Sequence, residues 1–322
     1  MTMSLQDGIL ACDRQAKTAI LGSMLSYRGM NYVQLWRLLQ WWFIHLGPTR
    51  DVTVDTFNGR LSFSSGDWLI GKYLYVKRAH EEHEIQSVIG LLTREGWLKR
   101  SPTTVLNAGA NIGMTCIGLV REKFDRAIAF EPDPRNYRLL VRNIEQNGLQ
   151  DRIQAFPVAL SSTTGHLTLE LSKDNPGDHR VRQTDRPGFY KEETRPTIQV
   201  AADTLDHFFE NRPDTVDVIW VDIQGHEGHF FRGAKNFLKR GIPVVAEFWP
   251  YGLERAGTSA AEYTGLVSES FSHFWVVDNA DYQRVPIEEF GKLFELYQGP
   301  RSFGLVVFAP RAGQATQREP AA

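Results

Sequence analysis

A short glycine-containing segment, Asn107–Gly113, carries the strongest chemical signal of the sequence. It follows an apolar strand-like run at 104–107 and precedes a helical pattern at 114–123. A turn in this position exposes backbone N–H groups at a helix N-terminus, where a ligand can approach them closely. A dinucleotide-binding turn needs glycine at 111 and 114, whereas this chain has Asn111 and Met114. The segment therefore indicates a bound ligand but disfavours a nicotinamide dehydrogenase.

An acidic residue follows the next strand at the spacing of a ribose-binding group. Glu131 ends the strand-like run at 127–130 and lies about 20 residues after Gly109. Its carboxylate could accept hydrogen bonds from both hydroxyls of a ribose. Asp133 and Pro134 then start a helix as N-cap and first helical residue. The turn, the strand and the spaced Glu together predict an adenosine-containing cofactor.

With these residues in place, the sequence resembles the FkbM-type family of S-adenosylmethionine-dependent O-methyltransferases. The resemblance covers residues 104–248 and follows the family's order in six stretches: VLNAGANIGMT, AFEPDPRNYRLLVRNIEQNGL, PVALSS, AADTLDHFF, VDIQGHEGHFFRGA and VVAEF. It implies an α/β fold with a Rossmann-like seven-stranded sheet, parallel except for an antiparallel pair at its C-terminal edge. It also implies methyl transfer to a hydroxyl of a sugar, glycan or secondary metabolite.

The resemblance assigns residues to the cofactor and to the chemistry. The predicted cofactor contacts are Asn107, Gly109, Ala110, Asn111, Gly113, Glu131, Pro132 and Asp222, with Ala159 and its neighbours bordering the adenine. The predicted catalytic group is Asp222, Glu227, Glu247 and His226, which follow the fourth and fifth strands. Ligands of open α/β sheets bind at the carboxyl ends of the strands. Asp222 or Glu227 is the expected base, and a purely structural cap or ion pair is the alternative for both.

Three positions depart from the family pattern. The family usually has Asp where Asn107 stands, Lys where Trp220 stands and Glu where Gln224 stands. The first change removes a negative charge that favours the sulfonium and ammonium of the cofactor. These departures leave open a second hypothesis, a catalytically inactive module that binds a cofactor or a partner on the same fold.

A divalent cation is compatible with the same motif but is not required by it. Asp222, Glu227 and Glu247 could offer the hard oxygen ligands that Mg²⁺ prefers. The His80–His83 segment (HEEH) lacks the spacing of a zinc protease motif, and we expect a solvated helix face there.

The remaining elements position these residues. Alternating strands and helices from 103 onward predict a parallel sheet covered by helices, with further strands at 153–158, 167–171, 216–223, 243–248, 274–277 and 304–308. The polar segment 172–197 reads as a long loop that covers the acceptor together with residues 249–251. We divide the chain into an N-terminal accessory extension or cap (1–100), a methyltransferase domain (101–310) and a disordered tail (311–322).

The extension has its own helical and hairpin signals. A helix is predicted at 31–46 and another at 79–92, with a hairpin at 52–57 and 60–64 joined by Asn58-Gly59. The first helix carries three tryptophans, which favour either packing on the core or weak contact with a membrane surface or partner.

Composition restricts the partners and the compartment. The 322 residues carry a net charge of −2, which argues against nucleic acid and leaves a small-molecule or glycan acceptor. Two cysteines, Cys12 and Cys116, cannot build a disulfide framework, and no apolar run is long enough to span a membrane. We therefore expect a cytoplasmic protein that reaches a membrane periphery only through 31–46. The pattern identifies neither the acceptor nor the oligomeric state.

Overall fold

A computed structural model of the chain describes residues 30–98, 101–277 and 282–311. Cys12 and the predicted tail (311–322), apart from Arg311, lie outside the described residues. The N-terminal part contains α1 (Tyr32–Leu46), β1 (Asp51–Thr56), β2 (Gly59–Ser64), α2 (Ile70–Lys77) and α3 (Glu82–Arg94). The next part contains β3 (Thr104–Ala108), α4 (Met114–Glu122), β4 (Arg126–Phe130), α5 (Pro134–Gln146), β5 (Ile153–Phe156), β6 (Ala159–Leu160), β7 (Gly165–Glu170), β8 (Arg180–Val181) and β9 (Thr197–Asp203).

The C-terminal part completes the fold. It contains α6 (Leu205–Phe208), β10 (Val218–Val221), α7 (Glu227–Gly233), α8 (Lys235–Leu238), β11 (Val244–Phe248), α9 (Pro250–Arg255), α10 (Ala260–Ser270), β12 (Phe271–Val277), β13 (Val285–Pro286), α11 (Leu293–Leu296) and β14 (Gly304–Pro310). Short 3₁₀ turns lie at Pro176–Asp178, Glu192–Thr194 and Ile287–Lys292.

The main sheet has the order β13-β12-β14-β11-β10-β3-β4-β5. The pairs from β5 through β11 are parallel, whereas β14 lies antiparallel between β11 and β12. The predicted seven-stranded sheet with an antiparallel edge pair is confirmed, and the two-residue β13 extends its edge. All residues of β3 and β10 are buried, as expected for central parallel strands covered on both faces.

One predicted strand belongs elsewhere. The run at 167–171 forms part of β7, which pairs with β9 and β8 in a separate four-stranded sheet of order β6-β9-β7-β8. This sheet begins where the chain leaves β5, because Val158 N–H donates to Phe156 C=O and turns the chain away from the main sheet. The predicted third strand accordingly ends at Phe156.

The hairpin β1–β2 packs on the domain core and supports the glycine segment. Its turn residues are Phe57 and Asn58, one position earlier than predicted, because Gly59 already pairs with Thr56. The buried Asn143 of α5 accepts from Ser62 N at 2.7 Å and donates to Ile112 C=O at 2.7 Å. This amide joins the hairpin to the segment predicted to bind the cofactor. The boundary at residue 100 stays a prediction.

Helix α1 is confirmed over Tyr32–Leu46, with Asn31 and Gln34 forming a capping box. Trp41 is fully buried and packs against the rings of Phe63 and Tyr75, so one side of the helix belongs to the core. The opposite side remains exposed. No helix of the described residues is long and apolar enough to cross a membrane.

Helix α3 begins at Glu82, three residues later than predicted. His80 and Glu81 precede it and turn inward, whereas Glu82 and His83 are exposed. The expectation of a solvated face is therefore wrong for the first two residues. Thr115 Oγ1 donates to Glu81 Oε2 at 2.8 Å, and this bond draws the carboxylate toward the sheet.

Candidate active site

The glycine segment passes directly over the carboxyl end of β10. Gly109 has φ +81°, and a Cβ built on it would lie 1.8 Å from the backbone oxygen of Asp222. The N–H groups of Gly109 and Ala110 both donate to Phe130 C=O, which fixes the turn against β4. Asn111 adopts φ +50°, a left-handed conformation that asparagine tolerates better than most residues. A glycine at 109 is required because no side chain fits between the two strand ends.

We expect Gly109→Ala to destabilise the protein severely. The Cβ overlap with Asp222 and the positive φ act together, and steric conflicts of this kind cost on the order of 3 kcal/mol or more. Gly265→Ala is the matched control, because Gly265 lies exposed within α10 with nothing within 4 Å of its Cβ position. The control should gain about 0.5–1 kcal/mol from helix propensity. Urea unfolding of both variants measures the difference, and comparable stabilities would contradict the steric argument.

Glu131 holds the cleft side of the turn. Its Oε2 accepts from Asn111 N and its Oε1 from Asp133 N, each at 2.8 Å. Burial, opposed only in part by these hydrogen bonds, raises the pKa of Glu131 to about 8. Each carboxylate oxygen keeps a further lone pair toward the cleft, where a ligand hydroxyl could donate.

A cleft of about 570 Å³, including its open mouth, lies along the carboxyl ends of β3, β4 and β10. Seven of the predicted site residues line it: Gly109, Asn111, Glu131, Pro132, Ala159, Asp222 and His226. Ala110 and Gly113 lie behind it, where Gly113 caps α4. The cleft is therefore assembled from four separate loops that follow strands.

The segment 172–197 forms the outer wall of this cleft. Pro176, Gly177 and His179 face Glu131 across it. Its residues line the cleft beside the predicted ribose-binding carboxylate, and cover of the acceptor by this segment stays a prediction. In the sequence, only the prolines and glycines of this segment indicated a tightly turned chain. These residues do not specify which ligand the segment contacts.

Buried ion pairs hold this wall in place. Arg180 pairs with Asp178 and with Glu192, the latter at 2.9 Å, while Arg195 reaches Asp178 at 2.6 Å. Tyr251 OH donates to Glu192 Oε1 at 2.7 Å and ties the wall to α9. Buried pairs that keep all their partners fix a conformation. These contacts therefore hold the wall in one conformation.

Three carboxyl groups meet where β10 and β11 end. Oxygens of Asp222, Glu227 and Glu247 lie within 4.8 Å of one another. Gln224 Nε2 donates to Asp222 Oδ1 at 2.8 Å and to Glu247 Oε2 at 3.2 Å. A Glu at 224, as in the family pattern, has no such donor. This departure therefore adds the hydrogen bonds that hold two acids side by side, and whether a cation binds the cluster stays a prediction.

The three acids differ in environment. Burial and repulsion from Glu81 raise the pKa of Asp222 to about 6, whereas burial and repulsion from Asp222 raise that of Glu247 well above its usual range. Burial raises the pKa of Glu227 to about 8. Glu227 Oε1 accepts from the N–H groups of Ile223 and Gly225, so this carboxyl shapes the turn after β10. Asp222 is thus the acid that ionises most readily while facing the cleft.

His226 lines the cleft but has little capacity to act as a base. Its Nε2 lies 2.9 Å from Ser161 Oγ, and its ring stacks on that of His229 with centroids 4.2 Å apart. Burial, assisted by His229 and Arg232, lowers the pKa of His226 well below its usual value. A neutral imidazole in this position holds the chain around Ser161 through this hydrogen bond.

Asn107 lies deep beneath the turn. Its Nδ2 donates to Trp220 C=O at 3.4 Å, while its buried Oδ1 has no hydrogen-bond partner. An orphaned buried acceptor costs stability unless a ligand supplies the donor. The amide therefore retains the acceptor that the family's Asp provides, without its charge.

A second, larger cavity meets the cleft at Asp222, which lines both. Its walls come from the segment before α3, from the ends of β10 and β11, and from β12 and β14. Glu81 and Trp220 line it, and sequence reasoning did not assign either to a site. No local pattern marks Glu81, because its role depends on a contact with α4.

Comparisons with known proteins identify the family of the chain. The family model described as "Methyltransferase FkbM domain" matches residues 107–283, more than half of the chain. The chain is 27% identical over 176 residues to methyltransferase sdnD of Sordaria araneosa, covering 46% of this chain and 68% of that protein. It is 26% identical over 164 residues to the 2-O-methyltransferase NoeI of Sinorhizobium fredii, covering 47% and 65%.

Among solved structures, the O-methyltransferase from Bacillus cereus in complex with SAH is 11% identical, with a TM-score of 0.41. The match covers 94% of this chain and 100% of that one. The matched family region contains the glycine segment, Glu131 and all three clustered acids. The chain therefore belongs to the FkbM methyltransferase family.

Proposed function

We propose that the protein is an S-adenosylmethionine-dependent O-methyltransferase acting on a hydroxyl of a sugar, glycan or secondary metabolite. One observation carries this proposal: the cleft places the glycine turn, the Glu131 carboxylate and Asp222 along one line at the ends of adjacent strands. Along this line, Glu131 as the proposed ribose ligand comes first, the glycine turn follows, and Asp222 comes last, beside the second cavity. Such an order suits a cofactor whose reactive methyl group points toward an acceptor.

The residues present fit the proposed cofactor. Glu131 has free lone pairs for ribose hydroxyls, and the orphaned Asn107 Oδ1 suits an ammonium donor. Val158, Ala159 and Leu160 supply an apolar border for an adenine ring. S-adenosylmethionine, when bound, supplies an electrophilic methyl group on a sulfonium. The negative charge of Asp222 favours such a cation close by.

Asp222 is the better candidate for the base. It lines both cavities, and its pKa of about 6 leaves it ionised at neutral pH. Glu227 lines neither cavity and is committed to two backbone N–H groups, which supports a positioning role. A base works best when its pKa lies near the operating pH.

In the proposed reaction, the acceptor oxygen forms a bond to the methyl carbon while the carbon–sulfur bond breaks. Asp222 takes the hydroxyl proton, so the neutral thioether and the methyl ether leave the site. Gln224, whose amide donates to both Asp222 and Glu247, holds the Asp222 carboxylate in one orientation. Alignment of this kind can supply on the order of 7–11 kcal/mol.

Titration calorimetry with S-adenosylmethionine tests the first half of the proposal, and transfer of a labelled methyl group to a panel of hydroxylated compounds tests the second. We expect binding and transfer. Binding without transfer to any compound would favour the alternative of an inactive module, which the changes at Asn107, Trp220 and Gln224 motivate. Absence of binding at millimolar concentration would overturn the proposal.

A further inference from the structure

The second cavity occupies the position from which an acceptor would reach Asp222. It encloses about 1560 Å³ including its mouth, and Asp222 is the residue it shares with the cofactor cleft. A ligand here and a ligand in the cleft would therefore meet at one carboxylate. The volume is sufficient for a sugar ring with its substituents.

Acidic side chains predominate in the lining of this cavity. Five carboxyl groups line it: Glu81, Glu82, Glu84, Asp222 and Glu247. Among the residues that the structure describes, the lining contains His80 and His83 but neither Lys nor Arg. Burial lowers the pKa of His80, yet Glu81 and Glu84 outweigh this effect and the net direction is upward, which reflects the negative surroundings. An anionic ligand would enter against this field.

An aromatic wall replaces the cation that the family pattern places here. Trp220 stands at the position of the family's Lys and lines the cavity together with Tyr73 and Phe303. Trp220 is only 3% exposed, so the exposed Phe303 and the half-buried Tyr73 supply most of the aromatic surface. Aromatic surface suits the apolar face of a sugar ring, whereas a Lys would have suited a phosphate or carboxylate.

We propose that this cavity receives the methyl acceptor and selects hydroxylated acceptors that are neutral or carry an amine over acceptors that carry a phosphate or carboxylate. The inference rests on the proposed function, because it assigns an acceptor to the same Asp222. It narrows the substrate class by charge. Acceptors with an anionic group should bind on the order of tenfold more weakly, since like charges oppose their entry.

Saturation-transfer NMR on the protein loaded with S-adenosylhomocysteine provides the test. The probes are methyl glucoside, glucosamine, glucuronate and glucose 6-phosphate, which share one ring and differ in charge. We expect signals from the first two and weak or absent signals from the last two. Ala79→Phe, which fills the cavity from its wall, should remove the signals of the first two sugars.

A double variant of the lining distinguishes an electrostatic effect on sugar binding from a steric one. Glu82→Gln with Glu84→Gln should strengthen the signals of glucuronate and glucose 6-phosphate severalfold, because it removes two charges from the lining. Glu122→Gln with Glu145→Gln removes two charges from exposed positions outside the cavity and should change nothing. Equal binding of anionic and neutral sugars, no binding by any sugar, or signals that survive Ala79→Phe would overturn the inference.

Calorimetry of S-adenosylhomocysteine on the same samples separates the two proposals. If S-adenosylhomocysteine binds but the protein binds charged and neutral sugars equally well, the inference fails while the proposed function stands. If the nucleoside does not bind, the proposed function fails, and the same sugar series on the free protein still decides the charge selectivity of the cavity.

A different observation concerns the exposed side of α1. Five apolar side chains at alternating four- and three-residue spacing form a stripe of 53–83% exposure: Tyr32, Trp36, Leu39, Phe43 and Leu46. We call this set the α1 stripe. Scattered apolar residues are normal on a surface, but a continuous stripe along a whole helix marks an interaction site.

The side chains near the stripe favour an anionic lipid surface over a cationic one. Helix α1 contains no Asp or Glu, and its Arg37 lies on the side of the buried Trp41, where it donates to Val76 C=O at 3.4 Å. Lys72 lies 4.6 Å from the ring of Trp68, which in turn contacts Trp42 beside the stripe. Tryptophan and tyrosine with apolar neighbours and adjacent cations are typical of helices that lie in a membrane interface. We infer that the α1 stripe docks on an anionic lipid surface.

Flotation with vesicles tests this second inference on the full chain. We expect the protein to float with vesicles of phosphatidylcholine mixed with phosphatidylglycerol, and much less with phosphatidylcholine alone. Phe43→Ser should reduce the bound fraction severalfold, whereas Phe189→Ser, an exposed ring elsewhere, should not. No flotation with the anionic vesicles, or equal flotation of Phe43→Ser, would overturn it. A dimer in light scattering that Phe43→Ser dissociates, without flotation, would assign the stripe to a second copy instead.

Discussion

Asp222→Asn should lower kcat for methyl transfer by about 10²–10⁴, the usual contribution of a positioned base. Asn keeps the size of the side chain and accepts the hydrogen bond from Gln224, but it cannot take a proton from the acceptor. The affinity for S-adenosylmethionine should fall less than kcat, because Glu131 and the turn make their own contacts. Radiolabelled methyl transfer and calorimetry measure the two effects separately.

The pH dependence of the same reaction provides an independent readout. Asp222 has a pKa of about 6 and must be ionised to accept a proton, so kcat should rise through about pH 6 and then level off. The variant should lose this rise. Since the folded-state pKa lies above the ordinary value of 3.8, ionisation of Asp222 costs stability as pH rises from about 4 to above 6. Asp222→Asn should therefore melt no lower than the wild type at pH 8.

Two further variants complete the comparison. Asp151→Asn changes an exposed aspartate outside the site and should leave kcat unchanged. Glu227→Gln tests the alternative base, and we expect it to lower stability or affinity more than it changes the pH profile. A kcat for Asp222→Asn within threefold of the wild type, roughly 0.6 kcal/mol of barrier, would remove Asp222 from the role of base.

The second large effect concerns cofactor affinity. Glu131→Ala should weaken S-adenosylmethionine binding by about 100-fold, because two charge-assisted hydrogen bonds to ribose hydroxyls are lost at roughly 1.5 kcal/mol each. The variant also orphans the N–H groups of Asn111 and Asp133, so the turn loses support. Both consequences act in the same direction on binding. Calorimetry at several cofactor concentrations gives the dissociation constant.

Proton release distinguishes direct contact from turn support. The pKa of Glu131 is about 8 in the free protein, so most of this carboxyl is protonated at pH 7. Ribose hydroxyl donors favour the ionised form, and binding should release up to about one proton. Glu131→Ala should abolish this release, which calorimetry in buffers of different ionisation enthalpy detects. The control Glu145→Ala removes an exposed acid from α5 and should change neither quantity; an equal proton release in both variants would contradict the ribose contact.

Much of the sheet was predictable because each central strand is buried on both faces and is therefore apolar throughout. The runs of β3, β4, β10 and β11 appeared at the expected positions, and helix α5 began at Asp133-Pro134 as the cap signal indicated. Strand β7 was found in sequence but placed in the wrong sheet. The alternation of apolar and polar residues identifies a strand. The strand with which it pairs depends on the direction that the preceding turn gives to the chain.

The site was predictable only for residues within motifs. Glu131 and Asp222 follow strands at fixed spacing, and parallel topology alone brings such residues to one edge. Glu81 was assigned to solvent because its neighbours in sequence are charged. It instead approaches the sheet through its hydrogen bond to Thr115, a contact between segments far apart in the chain.

The amino-acid sequence by itself determined the family, the glycine turn and the acidic residues that follow the strands. Consecutive residues specify these features, because the features depend on local backbone demands and on strand spacing. Only the tertiary structure decided which acid faces both cavities, which way segment 172–197 lies and how negative the second cavity is. Burial and the distances between carboxyl groups set their pKa values, and both quantities exist only once remote segments have packed together.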